Sequence, residues 1–281
     1  MTFTTRFAPS PTGPLHLGHA CSAMLAHDMA QAADGTFLLR IEDIDRSRAR
    51  PEWETRIYDD LRWLGLSWAA PVMRQSDRQP AYDAALDRLW DLGLLYACRC
   101  TRADIAAATA APQEGAPVQG PDGAVYPGTC RGAAPVGPRP RNMALRLNMA
   151  LAARAGAFQE TGCRTAKVAF AAKTLIDRVG DVVLARRDMG TSYHLSVVVD
   201  DGAQGITHVV RGADLFEATQ IHVVLQRLLG LPTPVYHHHR LIRDAAGKRL
   251  AKRDDARALS KYRAEGASPD DIRAMVGSGD R

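Results

Sequence analysis

The sequence predicts an α/β protein built on a parallel sheet, and three observations predict it. Short apolar runs that read as strands alternate with segments of helical period through the first hundred residues. Glycine or proline closes these segments where helices should stop. At 281 residues and 46% hydrophobic, the chain can bury one large core or two smaller ones.

The elements follow in order. "TTRFAPSP" reads as a short buried strand that Pro9 stops. Residues 18–33 read as an Ala/Met/Leu helix, and "TFLLRIED" as a strand ending in acids. Residues 52–64 place Trp53, Ile57, Leu61 and Leu64 on one helical face, with Gly65 as the stop. Residues 79–92 repeat the pattern through Tyr82, Leu86 and Leu89, and stop at Gly93. From Thr101 to Arg141 there are 7 prolines and 6 glycines, too many for element interiors, so this stretch reads as loops. "MALRLNM" resumes as a strand, and "DVVLARRD" and "HLSVVVDD" read as further sheet elements. "GITHVVRGADLF" reads as strand, turn and helix start, followed by a helix over 215–229 and a strand at "VYHHHRLIRD". A last helix begins at "SPDDIRAMVG", with Ser268 as N-cap and Pro269 in the first turn.

The bulk numbers exclude more than they assign. No apolar run reaches the length of a membrane span, and the N-terminus has no secretory signal pattern, so a cytoplasmic protein with no membrane partner is expected. A net charge of +5 and a pI near 9.1 permit a polyanionic partner, and arginine suits phosphate. Five cysteines without a signal favour metal binding over disulfides.

The stretch with most chemistry is "RFAPSPTGPLHLGHA". A strand end followed by a helix N-terminus is an anion site, because free N–H groups and the helix dipole point at it. Gly13 and Gly18 let backbone approach a phosphate there, and His16 and His19 could donate to its oxygens. Alone, "HLGH" is equally a turn with two solvent histidines. "KRLAKRDDA" alone is a solvated charged turn.

Together these segments, with "LLRIEDID" and "VVRGADL" between them, resemble the catalytic domain of class I glutamyl-tRNA synthetases. "HLGH" stands where that family has its HIGH motif, and residues 249–253 stand on the KMSKS loop, with Arg249 for its first lysine and Ala251 for its serine. The resemblance covers most of residues 6–255. It implies a Rossmann-like catalytic domain in two halves, 1–93 and 171–246, around an insertion at 94–170. A KMSKS-like loop and short helical tail at 247–281 would close the chain.

The resemblance also implies chemistry. Glutamate's α-carboxylate would attack the α-phosphate of ATP, with Mg²⁺ accompanying the nucleotide. His16, Gly18, His19, Arg249 and Lys252 would bind ATP, and His16, His19 and Lys252 would stabilise charge in the transition state. Arg6, Ser10, Glu42, Tyr193 and Arg211 match the glutamate-contacting positions. The two arginines would hold carboxylates, in an order left open, and Glu42 the ammonium. Asp43 and Asp45 would be structural, holding backbone or Arg6.

Cys98, Cys100 and Cys130 are three thiols, one short of a closed zinc shell, and equally three reduced thiols beside a loop. One branch of the family has a zinc site at this spacing, which makes Tyr126 the fourth ligand of one structural zinc. The histidines at 237–239 are expected near the KMSKS-like loop, lining the nucleotide site rather than forming a metal site, and Cys21 and Cys163 read as buried or free thiols. Only 28 residues follow Arg253, so no anticodon-binding domain is expected. With the cysteine–tyrosine set, this shortness resembles paralogues of the family that pass glutamate to queuosine in the anticodon of tRNA(Asp). The expected partners are therefore ATP, L-glutamate and queuosine-containing tRNA(Asp), with the protein as a monomer. The alternatives are a truncated synthetase charging a tRNA 3′ end, a non-catalytic glutamate- or tRNA-binding paralogue, and a related nucleotidyltransferase acting on another small acid.

Overall fold

A computed structural model describes residues 2–110, 118–132, 137–242 and 257–277. The chain opens with β1 (Thr4–Phe7), α1 (Leu17–Ala32), β2 (Thr36–Ile41), α2 (Pro51–Trp63), β3 (Ala69–Arg74) and α3 (Gln79–Asp91). β1, β2 and β3 are parallel neighbours in that order. α1 packs on them through Ala20, Ala23, Met24 and Ala30, all buried, where small side chains let helix and sheet approach closely. Ile57 and Leu61 of α2 and Tyr82, Leu86 and Leu89 of α3 are buried, as the helical spacing predicts.

The middle of the chain holds β4 (Leu95–Cys98), α4 (Arg102–Ala110), β5 (Gln119–Gly120), β6 (Gly123–Ala124), β7 (Ala144–Leu147), α5 (Met149–Ala152), β8 (Gly156–Glu160) and β9 (Ala166–Phe170). α4 corrects the expectation of loops throughout 101–141. The prolines and glycines begin only at Pro112, and "RADIAAATA" before them has helix-forming composition. β4 and β10 (Val183–Ala185) flank β7 in an antiparallel sheet, after a three-residue turn of helix, α6 (Ala172–Thr174).

The remaining elements are α7 (Tyr193–Ala203), β11 (His208–Gly212), α8 (Thr219–Leu229), β12 (Val235–His239), α9 (Leu259–Ala264) and α10 (Pro269–Gly277). α7 is a second correction, because "HLSVVVDD" was expected in the sheet. A short apolar run does not declare its period. Here it is buried on nearly every side, so a helix satisfies its backbone better than the strand its valines favour. Ser268 caps α10 as expected: its Oγ accepts from Asp271 N–H at 3.2 Å, while its own N–H donates to Asp271 at 2.8 Å.

β11 and β12 are parallel, β12 runs parallel to β8, and β8 pairs antiparallel with β9. The starts of β1 and β11 meet: Thr207 N–H donates to the Thr4 carbonyl at 2.9 Å, and Thr4 N–H to Thr207 Oγ1 at 2.8 Å. The chain thus winds outward from β1 on one side and from β11 on the other. In an open parallel sheet the crevice outside the strand ends at such a reversal is the natural ligand site.

Candidate active site and metal centre

A cavity of about 580 Å³ lies at that reversal. It gathers Arg6, Ser10, His16, Gly18, His19, Glu42, Tyr193 and Arg211, residues spread over more than 200 positions of sequence. Arg6 comes from the end of β1, Glu42 from the residue after β2, Arg211 from β11 and Tyr193 from the first turn of α7. Arg249 and Lys252 lie outside the described residues.

The two histidines are fixed by the start of α1. His16 is its N-cap, with Nδ1 accepting from Gly18 N–H at 3.1 Å. His19 returns the bond, its Nδ1 accepting from His16 N–H at 3.1 Å. This is a capping box in which imidazoles replace the usual hydroxyl and carboxamide. Its consequence is chemical: with both Nδ1 atoms accepting, the neutral rings carry their protons on Nε2. The ring centres stand 3.8 Å apart, so two donors sit side by side at a helix N-terminus. A Cβ at Gly18 would lie 3.0 Å from His16 Cε1, so the glycine makes room for the capping ring.

The positive groups are held from behind. Arg6, 4% exposed, makes a two-point contact with Asp201 through Nε at 2.8 Å and Nη2 at 3.2 Å. Asp201 also accepts from the fully buried Arg40 at 2.7 Å, and Arg40 reaches Glu42 at 3.3 Å. The residue that holds Arg6 is therefore Asp201, whereas Asp43 accepts from Ser76 N–H and Asp45 from Ser47 and Arg48. Burial pushes the Glu42 carboxyl above its ordinary range, against the pull of Arg40 and Arg6. Burial likewise raises the Tyr193 phenol, which keeps it a hydrogen-bond donor.

Arg211 is packed among neutral acceptors. His238 Nε2 takes its Nε–H at 3.1 Å, and His238 Nδ1 lies 2.6 Å from Glu160. Burial, then the Arg211 charge, lowers His238 to about 4, so its ring is neutral and donates to Glu160. The triple histidine is thus divided: His238 is buried behind Arg211, His239 lines the cavity, and His237 bonds Thr161. Sequence reasoning missed Asp201, Arg40 and His238. The available signal was helical: on α7, Tyr193 and Asp201 are eight residues apart and share a side.

The cysteine cluster sits beside a second cavity of about 660 Å³. Cys98 ends β4, and the sulfurs of Cys98, Cys100 and Cys130 lie within 4.8 Å of one another. Tyr126 Oη is 3.5 Å from Cys98 Sγ and 3.3 Å from Cys100 Sγ, and Cys100 and Cys130 sulfurs are 3.4 Å apart. Ligands of a tetrahedral zinc at ~2.3 Å lie ~3.8 Å from each other, so this donor set fits zinc with small adjustments. Arg146 supports the charge, with Nε 3.3 Å from Cys98 Sγ and its guanidinium 3.9 Å from the Tyr126 ring centre. Burial and the neighbouring thiols push the Tyr126 phenol upward, so it would ligate only by releasing its proton to solvent as the metal binds. Cys21 is buried and Cys163 exposed, and neither is in a disulfide.

A family model described as tRNA synthetases class I (E and Q), catalytic domain, matches residues 2–277. A "Glutamyl-Q tRNA(Asp) synthetase" of Rhodobacter capsulatus is 68% identical over 278 residues, 97% of this chain and 99% of that protein. A protein of the same name from Geobacter sulfurreducens is 43% identical over 92% of this chain and 78% of its own length. A crystal structure of a glutamate tRNA ligase from Elizabethkingia meningosepticum, in complex with its amino acid, superposes with TM-score 0.76 at 27% identity. Its match covers 98% of this chain and 60% of that ligase. The glutamate-tRNA synthetase of Elizabethkingia anophelis superposes with TM-score 0.78 at 26% identity, over 98% and 61% of the two chains. Among the described residues, no helix is long and apolar enough to cross a membrane.

Proposed function

The chain belongs to the catalytic-domain family of class I tRNA synthetases for glutamate and glutamine, and on that premise we propose that it activates L-glutamate with ATP and transfers it to queuosine in the anticodon of tRNA(Asp). One observation carries the reading. The cavity pairs two buried guanidinium groups, a carboxylate and a phenol with two Nε2-protonated imidazoles at a helix N-terminus. Glutamate has two carboxylates and an ammonium, and ATP brings phosphates, so each partner meets its complement. Support for the queuosine acceptor comes from relatives of that name, one of which matches along 99% of its length.

In the first step an α-carboxylate oxygen of glutamate bonds to the α-phosphorus, and the bond to the β-phosphate oxygen breaks. Glutamyl-adenylate and pyrophosphate result, without a protein nucleophile. His16 and His19 donate from Nε2 to phosphate oxygens as charge builds on them. Arg6 and Arg211 hold carboxylates, Tyr193 and Ser10 donate to substrate oxygens, and Glu42 faces the ammonium. Arg249 and Lys252 meet the departing pyrophosphate. Mg²⁺ would arrive with ATP and neutralise phosphate charge. In the second step a hydroxyl of queuosine's cyclopentenediol attacks the glutamyl carbonyl, and AMP leaves. Cys98, Cys100, Cys130 and Tyr126 would hold a zinc ion whose role would be structural, shaping the segment around β4 and β7.

The test supplies ATP, Mg²⁺ and labelled glutamate with tRNA from cells that make queuosine and from cells that do not. Both pools are also trimmed of their 3′-terminal adenosine. Label on trimmed, queuosine-containing tRNA alone is the expected result. Label on both untrimmed pools, lost on trimming, would mean ordinary aminoacylation and would overturn the proposal.

A further inference from the structure

Arg211 is held by more than its charge requires. Besides His238, it donates through Nη2 to Thr219 Oγ1 at 2.7 Å and to the Leu215 carbonyl at 3.3 Å, and through Nη1 to His222 Nδ1 at 3.0 Å. A guanidinium has no lone pair to offer, so His222 Nδ1 must accept. Burial, and then the Arg211 charge, holds His222 well below the ordinary imidazole range, which makes the ring neutral. Its proton is then on Nε2, which stands 3.1 Å from His194 Nδ1. That nitrogen must accept in turn, so the His194 proton is on its own Nε2, 3.6 Å from Asp122 Oδ1. Burial pushes the Asp122 carboxyl upward, but His194 outweighs it and holds the group below its usual range.

Two hydrogen bonds and a carboxylate 3.6 Å beyond them line up in one direction across four elements. Arg211 lies on β11, His222 on α8, His194 on α7 and Asp122 in the turn between β5 and β6. Arg211 at one end and the carboxylate at the other favour the same direction. We propose that His194 and Asp122 are positioning residues for substrate recognition. The carboxylate at one end draws both imidazoles into a single tautomer, and that tautomer gives Arg211 an acceptor that fixes its guanidinium at the cavity wall. The proposal rests on reading the cavity as a glutamate site. Without Asp122 the histidine pair can exchange its protons, and a His222 Nδ1–H would then oppose the Arg211 donor. The anchoring turn also leads, four residues on, into Tyr126 of the cysteine cluster, so the two sites share a segment.

The experiment compares His194→Leu, Asp122→Ala and Asp122→Glu with the wild type in glutamate-dependent ATP–pyrophosphate exchange. The first two should raise KM for glutamate about five-fold, the scale of one lost hydrogen bond, with KM for ATP unchanged. Asp122→Glu, which keeps the carboxylate, should recover most of the loss. Equal rises in both KM values, or no rise in either, would mean a scaffold role and overturn the proposal. A second measurement is independent of substrate. Two-bond spectra of ¹⁵N-histidine protein should show His222 and His194 as Nε2–H tautomers, and Asp122→Ala should mix them. An Nδ1–H His222 in the wild type would overturn the proposal. If the wild type exchanges no pyrophosphate with glutamate, the proposed activity fails, while the spectrum still decides the chain of tautomers.

Discussion

The cavity at the sheet reversal and the cysteine cluster are near in size and opposite in construction. In the cavity, the polar groups named above have protein partners already in place: Asp201 behind Arg6, neutral histidines and Thr219 behind Arg211, backbone N–H groups on the Nδ1 atoms of His16 and His19. Its electrostatics are preorganised before any ligand arrives. The cluster crowds three thiols and a phenol within hydrogen-bonding distance and supplies one cation, Arg146, against them. Such a set fits a metal, whereas the cavity fits the proposed substrates. The difference teaches which perturbations each site should survive.

The sharpest break on the cavity side is His19→Ala. It removes one of the proposed phosphate donors and the acceptor for His16 N–H. Pyrophosphate exchange should fall about 100-fold or more, with a loss of stability limited to a cap of ~1 kcal/mol. An exchange rate within a few-fold of wild type would place the ATP phosphates elsewhere.

Next in size is Asp201→Asn. Arg6 and Arg40 both lean on this carboxylate from positions 4% and 0% exposed. Removing the charge leaves two buried cations with less compensation, so the protein should lose stability as well as substrate affinity. KM for glutamate should rise about ten-fold with KM for ATP little changed. Steady-state kinetics in both substrates separates this from general loosening, which would move both constants.

These two residues differ in how far the sequence disclosed them. His19 announces itself because a short contiguous motif carries its context, a strand end, a glycine and a helix start. Asp201 does not, because its meaning depends on α7 crossing behind β1 and β2, and the run before it contains three consecutive valines that favour a strand. The sheet and its helices were legible for the same reason as the motif: period and punctuation are local. The side-chain partners of Arg211 lie 8 to 27 residues away on α8 and β12, the groups behind them stand on α7 and the β5–β6 turn, and no local pattern names them. The cysteines were legible by type and spacing, yet α4 between them was masked by the prolines that follow it.

A smaller effect on exchange is expected from the metal. Zinc removal by a chelator, or Cys130→Ser, should free one equivalent of metal and make the segment near β4 and β7 more susceptible to proteolysis. Pyrophosphate exchange should stay within about three-fold of wild type, because the cavity's own hydrogen bonds do not pass through the thiols. A collapse of exchange would show that the two sites are not separable, and would point to the Asp122 turn as the link.

The smallest effect concerns Glu42 and tests whether the cavity holds charge at a cost in stability. Burial raises this carboxyl above 4.5 in the folded chain, and its ion pairs do not cancel that rise. A raised folded value means the group favours folding only while protonated. Its contribution is fully present below about 4.5, the value for an unfolded glutamate, and is lost as pH climbs through the higher folded value. Above that value Glu42 therefore opposes folding, and Glu42→Gln should raise Tm at pH 7. At pH 4 the two proteins should melt together. Saturating glutamate, whose ammonium stabilises the carboxylate, should narrow the difference at pH 7 by stabilising the wild type alone. Melting curves at the two pH values, with and without glutamate, check all three statements. A Gln variant less stable than wild type at pH 7 would mean that Arg40 and Arg6 already outweigh burial, and that Glu42 belongs to the scaffold rather than waiting for a substrate cation.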